Sequence, residues 1–154
     1  MIRSIRRRLR GFGYAVLGLT VWAGALGAAP PVAAEPTVRF DVMVSQISAQ
    51  PGVIDPRAKS LHEKLRREFR YESLRVLEEA TMKLGIDEVG RLQLPNGKRL
   101  GLKPLLIDDR GVLLAVDIDG AMQGDLRVKK GHQVVIGAQR YEQGKLVISL
   151  IPRF

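Results

Sequence analysis

Beyond residue 35, apolar positions recur at helical spacing in one stretch and at alternate spacing nearly everywhere else. The helical stretch is Asp55–Tyr71, DPRAKSLHEKLRREFRY, with Ala58, Leu61, Leu65 and Phe69 three and four residues apart. At ~100° per residue these four share one narrow stripe, opposite a face bearing Lys59, Glu63, Arg66, Arg67 and Arg70. Asp55 is placed to cap the first N–H groups, and Pro56 stands where a missing N–H costs nothing. The pattern predicts an amphipathic helix packed on a sheet, with His62 at the border of its stripe.

The strand pattern begins at Thr37–Ile47. Val38, Phe40, Val42 and Val44 point one way, and Arg39, Asp41, Met43 and Ser45 the other. Ser48–Ile54 holds a Pro-Gly turn leading to the helix. After Phe69, Leu74, Val76, Ala80, Met82, Leu84 and Ile86 are spaced by two, Glu78 excepted. A helix over Glu72–Glu79 is the alternative; spacing that continues past Ala80 favours a strand. Asn96-Gly97 predicts a hairpin between Leu92 and Leu100. Asp109-Arg110-Gly111 predicts a second, and Lys129-Lys130-Gly131 a third, pairing Leu126–Val128 with Gln133–Ile136. Gln143-Gly144 separates Arg140-Tyr141 from Lys145–Ile151, and Pro104 belongs on an edge or at a bulge. The fold class expected is α+β: mostly antiparallel β, a meander, sandwich or partly closed barrel of about seven or eight strands, with one helix packed on it.

Residues 1–34 follow a different logic. Met1–Arg10 holds five arginines and no acid, Gly11–Ala29 is apolar and small, and PPVAAEP follows. This is the order of a secretory leader, with Val32 and Ala34 at the −3 and −1 positions of a cleavage site. Cleavage after Ala34 leaves one β-rich domain, residues 35–154, in the periplasm or medium. The apolar run is close to the ~18-residue minimum for a membrane-spanning helix, so an uncleaved anchor is the alternative. Arg6-Arg7 is a weak twin-arginine motif, because Arg10 stands where an apolar residue belongs.

The leader also changes the charge argument. The whole chain has 25 Lys+Arg against 16 Asp+Glu, net +9. Without the five leader arginines, twenty basic residues face sixteen acidic ones, a net +4. That mild, dispersed charge, with few aromatics to stack bases, argues against a nucleic-acid partner. The absence of cysteine excludes disulfides, thiolate metal sites, a cysteine nucleophile and a lipoprotein anchor.

Few chemistries find a motif. His62-Glu63 opens like a zinc-protease helix, but Arg66 replaces the second histidine. His132 stands alone in a Lys-Lys-Gly turn, and Asp117-Ile-Asp119-Gly120 lacks the glutamate that closes a calcium loop. Asp108-Asp109 reads as a turn pair, and there is no GxGxxG, P-loop or GxSxG. No catalytic residue, cofactor or metal is therefore expected, although an enzyme with dispersed residues stays among the alternatives.

Two resemblances follow from these residues. Val128-Lys-Lys-Gly131-His-Gln-Val134-Val135-Ile136-Gly137, continued by Gly144–Ile151, resembles a phrase of the β-rich core of bacterial secretins, with Ala138 in place of the second glycine. More broadly, Leu61-His-Glu-Lys-Leu65-Arg66-Arg67-Glu-Phe69-Arg-Tyr71 and Leu94-Pro95-Asn96-Gly97 are similar to small, uncharacterised exported proteins of Gram-negative bacteria, of the myxobacterial or deltaproteobacterial type. This resemblance implies an exported β-rich domain and carries no activity with it. The expected function is a non-enzymatic binding or scaffold module that pairs with an envelope or secretion assembly, Lys59, Arg66 and Arg70 being its candidate partner contacts. Binding of a small molecule, glycan or lipid is the second reading. No stable membrane span is expected after cleavage.

Overall fold

The computed structural model describes residues 33–154. The leader read over residues 1–34 lies outside them except for Ala33 and Ala34. Eight strands and one short helical segment follow in order. Strand β1 (Thr37–Ser48) leads to a 3₁₀ turn (Pro56–Ala58) and helix α1 (Lys59–Leu65), then to β2 (Ser73–Gly85) and β3 (Gly90–Gln93). The chain continues through β4 (Arg99–Asp108), β5 (Gly111–Ile118), β6 (Met122–Val128), β7 (Val134–Tyr141) and β8 (Gly144–Arg153). Two antiparallel four-stranded sheets result, sheet A in the order β2-β1-β8-β7 and sheet B in the order β3-β4-β5-β6.

The alternation in β1 builds the core. Val38, Phe40, Val42 and Val44 are all buried in one cluster with Leu146, Ile148 and Leu150 of β8. Sheet B contributes Leu100, Leu102, Val112, Leu114, Val116 and Ile118 to that same cluster. The sheets thus face each other across shared apolar residues without closing into a barrel, a sandwich-like arrangement.

The helix covers the other face of sheet A. Ala58, Leu61 and Leu65 are buried against Ile47, Leu74, Val76 and Val147, so the predicted stripe is the packing face. Asp55 caps as expected, its carboxylate accepting the Arg57 N–H at 3.0 Å. The helix is shorter than its periodicity suggests: seven residues, ending at Leu65 rather than Tyr71. Phe69 N–H bonds back to the Leu65 carbonyl at 2.8 Å and the chain turns out. Phe69 and Tyr71 still reach the helix-side cluster, but from an irregular segment. The reason is tertiary. Strand β2 starts at Ser73, and a helix running to Tyr71 would leave one residue to reverse direction.

Ser73–Glu79 lies in strand, as the spacing favoured, with Glu72 in the bend before it, but the even-numbered residues do not share one face. Val44 pairs with Glu78 while Ser45 pairs with Val76, so Leu77 is an extra residue in a bulge. Before it, Leu74 and Val76 face the helix; beyond it, Met82 and Leu84 face the inter-sheet core. Pro104 sits at a register shift between β4 and β5, the bulge its missing N–H calls for. The hairpins at Asn96-Gly97, Asp109-Arg110 and Gln143-Gly144 form. The third predicted hairpin does not. Val128 ends a strand of sheet B and Val134 begins one of sheet A, so residues 129–133 cross between sheets. Gly131 supplies the turn at φ +72, but pairing partners are chosen by β5 and β8, not by the turn.

Candidate functional site

At one end of sheet A, the link from β1 to the helix folds back on β2. Leu74 bonds to both Val53 and Asp55, the Asp55 N–H donating to the Leu74 carbonyl at 2.8 Å. Gly52 makes this approach possible, since a Cβ there would lie 2.7 Å from Ser73 Cβ. Between this link and the β7–β8 turn lies an open groove of about 770 Å³. No residue of sheet B lines it.

A polar row crosses the groove. Arg75 of β2 donates to Gln46 Oε1 at 2.9 Å, and Gln46 Nε2 donates to Glu142 Oε2 at 3.1 Å. Gln46 is 8% exposed, so its amide is held between a guanidinium and a carboxylate, both of which reach solvent. Glu142 takes the left-handed φ of +49, uncommon for a residue with a side chain. The row has opposite charges at its two ends. Apolar surface borders it, chiefly Val53, 79% exposed, with Pro51 and Pro56. An apolar rim with a few convergent polar groups is the composition of a recognition groove.

Asp55 also lines the groove. The Arg57 side chain and N–H bonded to its carboxylate lower its pKa from the ordinary 3.8 to about 2. A depressed carboxylate contributes stability that is present above its unfolded pKa and is lost as pH falls through about 2. Asp55→Asn should therefore flatten the fall in urea midpoint between about pH 4 and pH 2. Equal acid sensitivity in both proteins would remove Asp55 as a contributor.

The predicted contact residues are placed differently. Lys59 and Arg66 are exposed on and just after the helix, Arg66 lying 3.8 Å from Glu63. Arg70 is exposed but beyond the helix end, beside Phe69 and Lys145. The three do not form one helical face. His62 is half-buried with Nδ1 2.8 Å from the Tyr71 hydroxyl, which ties the helix to the segment after it. His132 is exposed in its turn. Asp119 closes the β5–β6 turn and pairs with Arg99 at 3.1 Å, and Asp108 pairs with Arg110 and Arg127. Among the described residues, no three His, Asp or Glu side chains converge as metal ligands, and no helix is long and apolar enough to cross a membrane.

The groove residues Gln46, Arg75 and Glu142 escaped the sequence reading. They lie on three separate segments, and no spacing rule joins them. The one local hint was Val53, an apolar residue beside Pro51-Gly52 in a link with no apolar period.

Fold and groove together define a sandwich-like antiparallel β protein with a helix on one outer face and a mixed apolar–polar groove at one end. No protein family, no curated protein and no solved structure matches the chain.

Proposed function

We propose that this chain is a non-enzymatic binding module of a bacterial envelope, exported by its leader, and that the groove at the end of sheet A takes an extended segment of a partner protein. The observation that carries the reading is the Arg75–Gln46–Glu142 row in the groove that exposed Val53 also lines. A buried amide held by two hydrogen bonds is preorganised, and the charged Arg75 and Glu142 at the ends of the row suit the alternating acceptors and donors of a peptide main chain. The basic residues before position 11 and the apolar run after them support export.

The test is crosslinked recovery of partners from native envelopes with three forms of the protein. Val53→Asp alters an exposed groove residue and should abolish recovery while the melting temperature holds. Arg66→Glu with Arg70→Glu should leave recovery intact. The reverse outcome would move the contact to the helix side, and unchanged recovery in both would sink the reading. The recovered protein should begin at Glu35. A protein found alone, whose melting temperature rises with an envelope small-molecule fraction, would shift the groove to small-ligand binding.

A further inference from the structure

Among the described residues, sheet A is open along β2 beyond its bulge. The first part of β2 is covered, because residues 53–55 bridge to Leu74 and the Asp55 carboxylate accepts the Val76 N–H. Among the described residues, the strand from Glu78 to Leu84 pairs only with β1, in unbroken register from Val44 to Val38. An open edge of that length is a template for another strand.

The side chains on this edge read as their own complement. Glu79, Thr81 and Lys83 face outward and are exposed, Glu79 within 3.2 Å of Arg57 and the Thr81 hydroxyl donating to Asp41 at 3.2 Å, while Met82 and Leu84 face the core. If a second β2 lies antiparallel with Thr81 opposite Thr81, alternation keeps every opposed pair on the same face. Glu79 then stands across from Lys83, twice, Ala80 across from Met82, and Glu78 across from Leu84 at the two ends of the paired stretch. Opposite charges directly across two strands are favourable, as are paired threonines. Lys83 also lacks an acid of its own. It borders Arg39 and Arg153, the latter bonded to Asp41, and no carboxylate among the described residues lies within ion-pairing distance of it.

The other edges do not offer this. Strand β3 has four residues. In β7 the register breaks between Val135 and Gly137, so a partner strand would lose its facing. Self-pairing of β6 about its centre would set Asp125 against Asp125. Near β2, by contrast, the link to β3 leaves Val89 43% exposed, apolar surface that a neighbour would cover.

We infer that the Glu78–Leu84 edge of β2 joins two copies of this chain about a two-fold axis at Thr81, making sheet A continuous across the dimer. This is an isologous contact, closed by its own symmetry. It does not depend on the groove or on what the groove binds.

The chain has no cysteine, so one introduced thiol reports one position. Opposed residues in antiparallel strands have Cα atoms about 4.5–5.5 Å apart, within disulfide range. In protein expressed from the full coding sequence and processed by its host, Thr81→Cys should give a disulfide-linked dimer under mild oxidation, and Asp125→Cys on β6 should not. Sedimentation should show twice the monomer mass for the native protein. Lys83→Glu should weaken self-association at least about tenfold, and Glu79→Lys with Lys83→Glu should restore it. Thr81→Arg, which sets like charges together at the axis, is the second disrupting variant should Lys83→Glu fold poorly. A native protein that stays monomeric, equal linkage at both thiol positions, or linkage of Thr81→Cys only to a different protein would overturn the proposal.

Discussion

Phe40→Ala should destabilise the protein by about 3–5 kcal/mol, read as a fall in urea midpoint at constant slope. Phe40 is fully buried on β1, the second strand of sheet A, with Met82 and Pro152 opposite it on the two neighbouring strands. Its ring lies in the cluster that joins both sheets. Truncation removes transfer energy and leaves a cavity that neighbours fixed in two sheets cannot fill. Phe40→Leu keeps most of the volume and should cost less, about 1–2 kcal/mol. A loss below about 1 kcal/mol for the alanine would mean that the sheets close on the gap.

Gly111→Ala should cost about as much, roughly 3–5 kcal/mol, through backbone overlap rather than lost packing. Gly111 opens β5 at φ +124, and a Cβ there would lie 2.2 Å from the Val128 carbonyl oxygen and 2.9 Å from its carbon. Those atoms belong to the neighbouring strand, so relief requires β6 to part from β5. Gly97→Ala is the matched control. Gly97 has φ +81 with nothing within 4 Å of its would-be Cβ, so it should pay only for the left-handed backbone, about 1–2 kcal/mol. Equal losses at the two glycines would show that conformation alone sets the cost.

This pair of glycines shows where local reading stops. Both were legible as turn residues, one after Asn96 and the other after Arg110. Only the register of β5 against β6 reveals that Gly111 has a carbonyl against it and Gly97 has none. The same holds for β2. Leu74, Val76, Met82 and Leu84 share a parity in sequence, yet the extra residue at Leu77 divides them between two clusters. A bulge is set by pairing with another strand, so no pattern within β2 announces it.

The groove was the least legible feature. Gln46, Arg75 and Glu142 are ordinary polar residues in their own segments, and their meeting depends on the strand order β2-β1-β8. The basic residues Lys59, Arg66 and Arg70 were conspicuous because a helical period grouped them. That grouping failed at Arg70, where the need to enter β2 ended the helix early.

Properties carried by short-range chemistry were thus readable from residue order. These are the β-rich class, the buried face of β1, the Asp55 cap, the packing stripe of the helix and the turns at Gly97 and Gly111. They follow from side-chain alternation, capping and backbone freedom, each acting within a few residues. The division into two sheets, the crossing at residues 129–133, the β2 bulge, the groove and the open edge at Thr81 came from the assembled fold. Each depends on which distant strand wins a given neighbour, and that choice is made by burial of apolar area summed over the whole core.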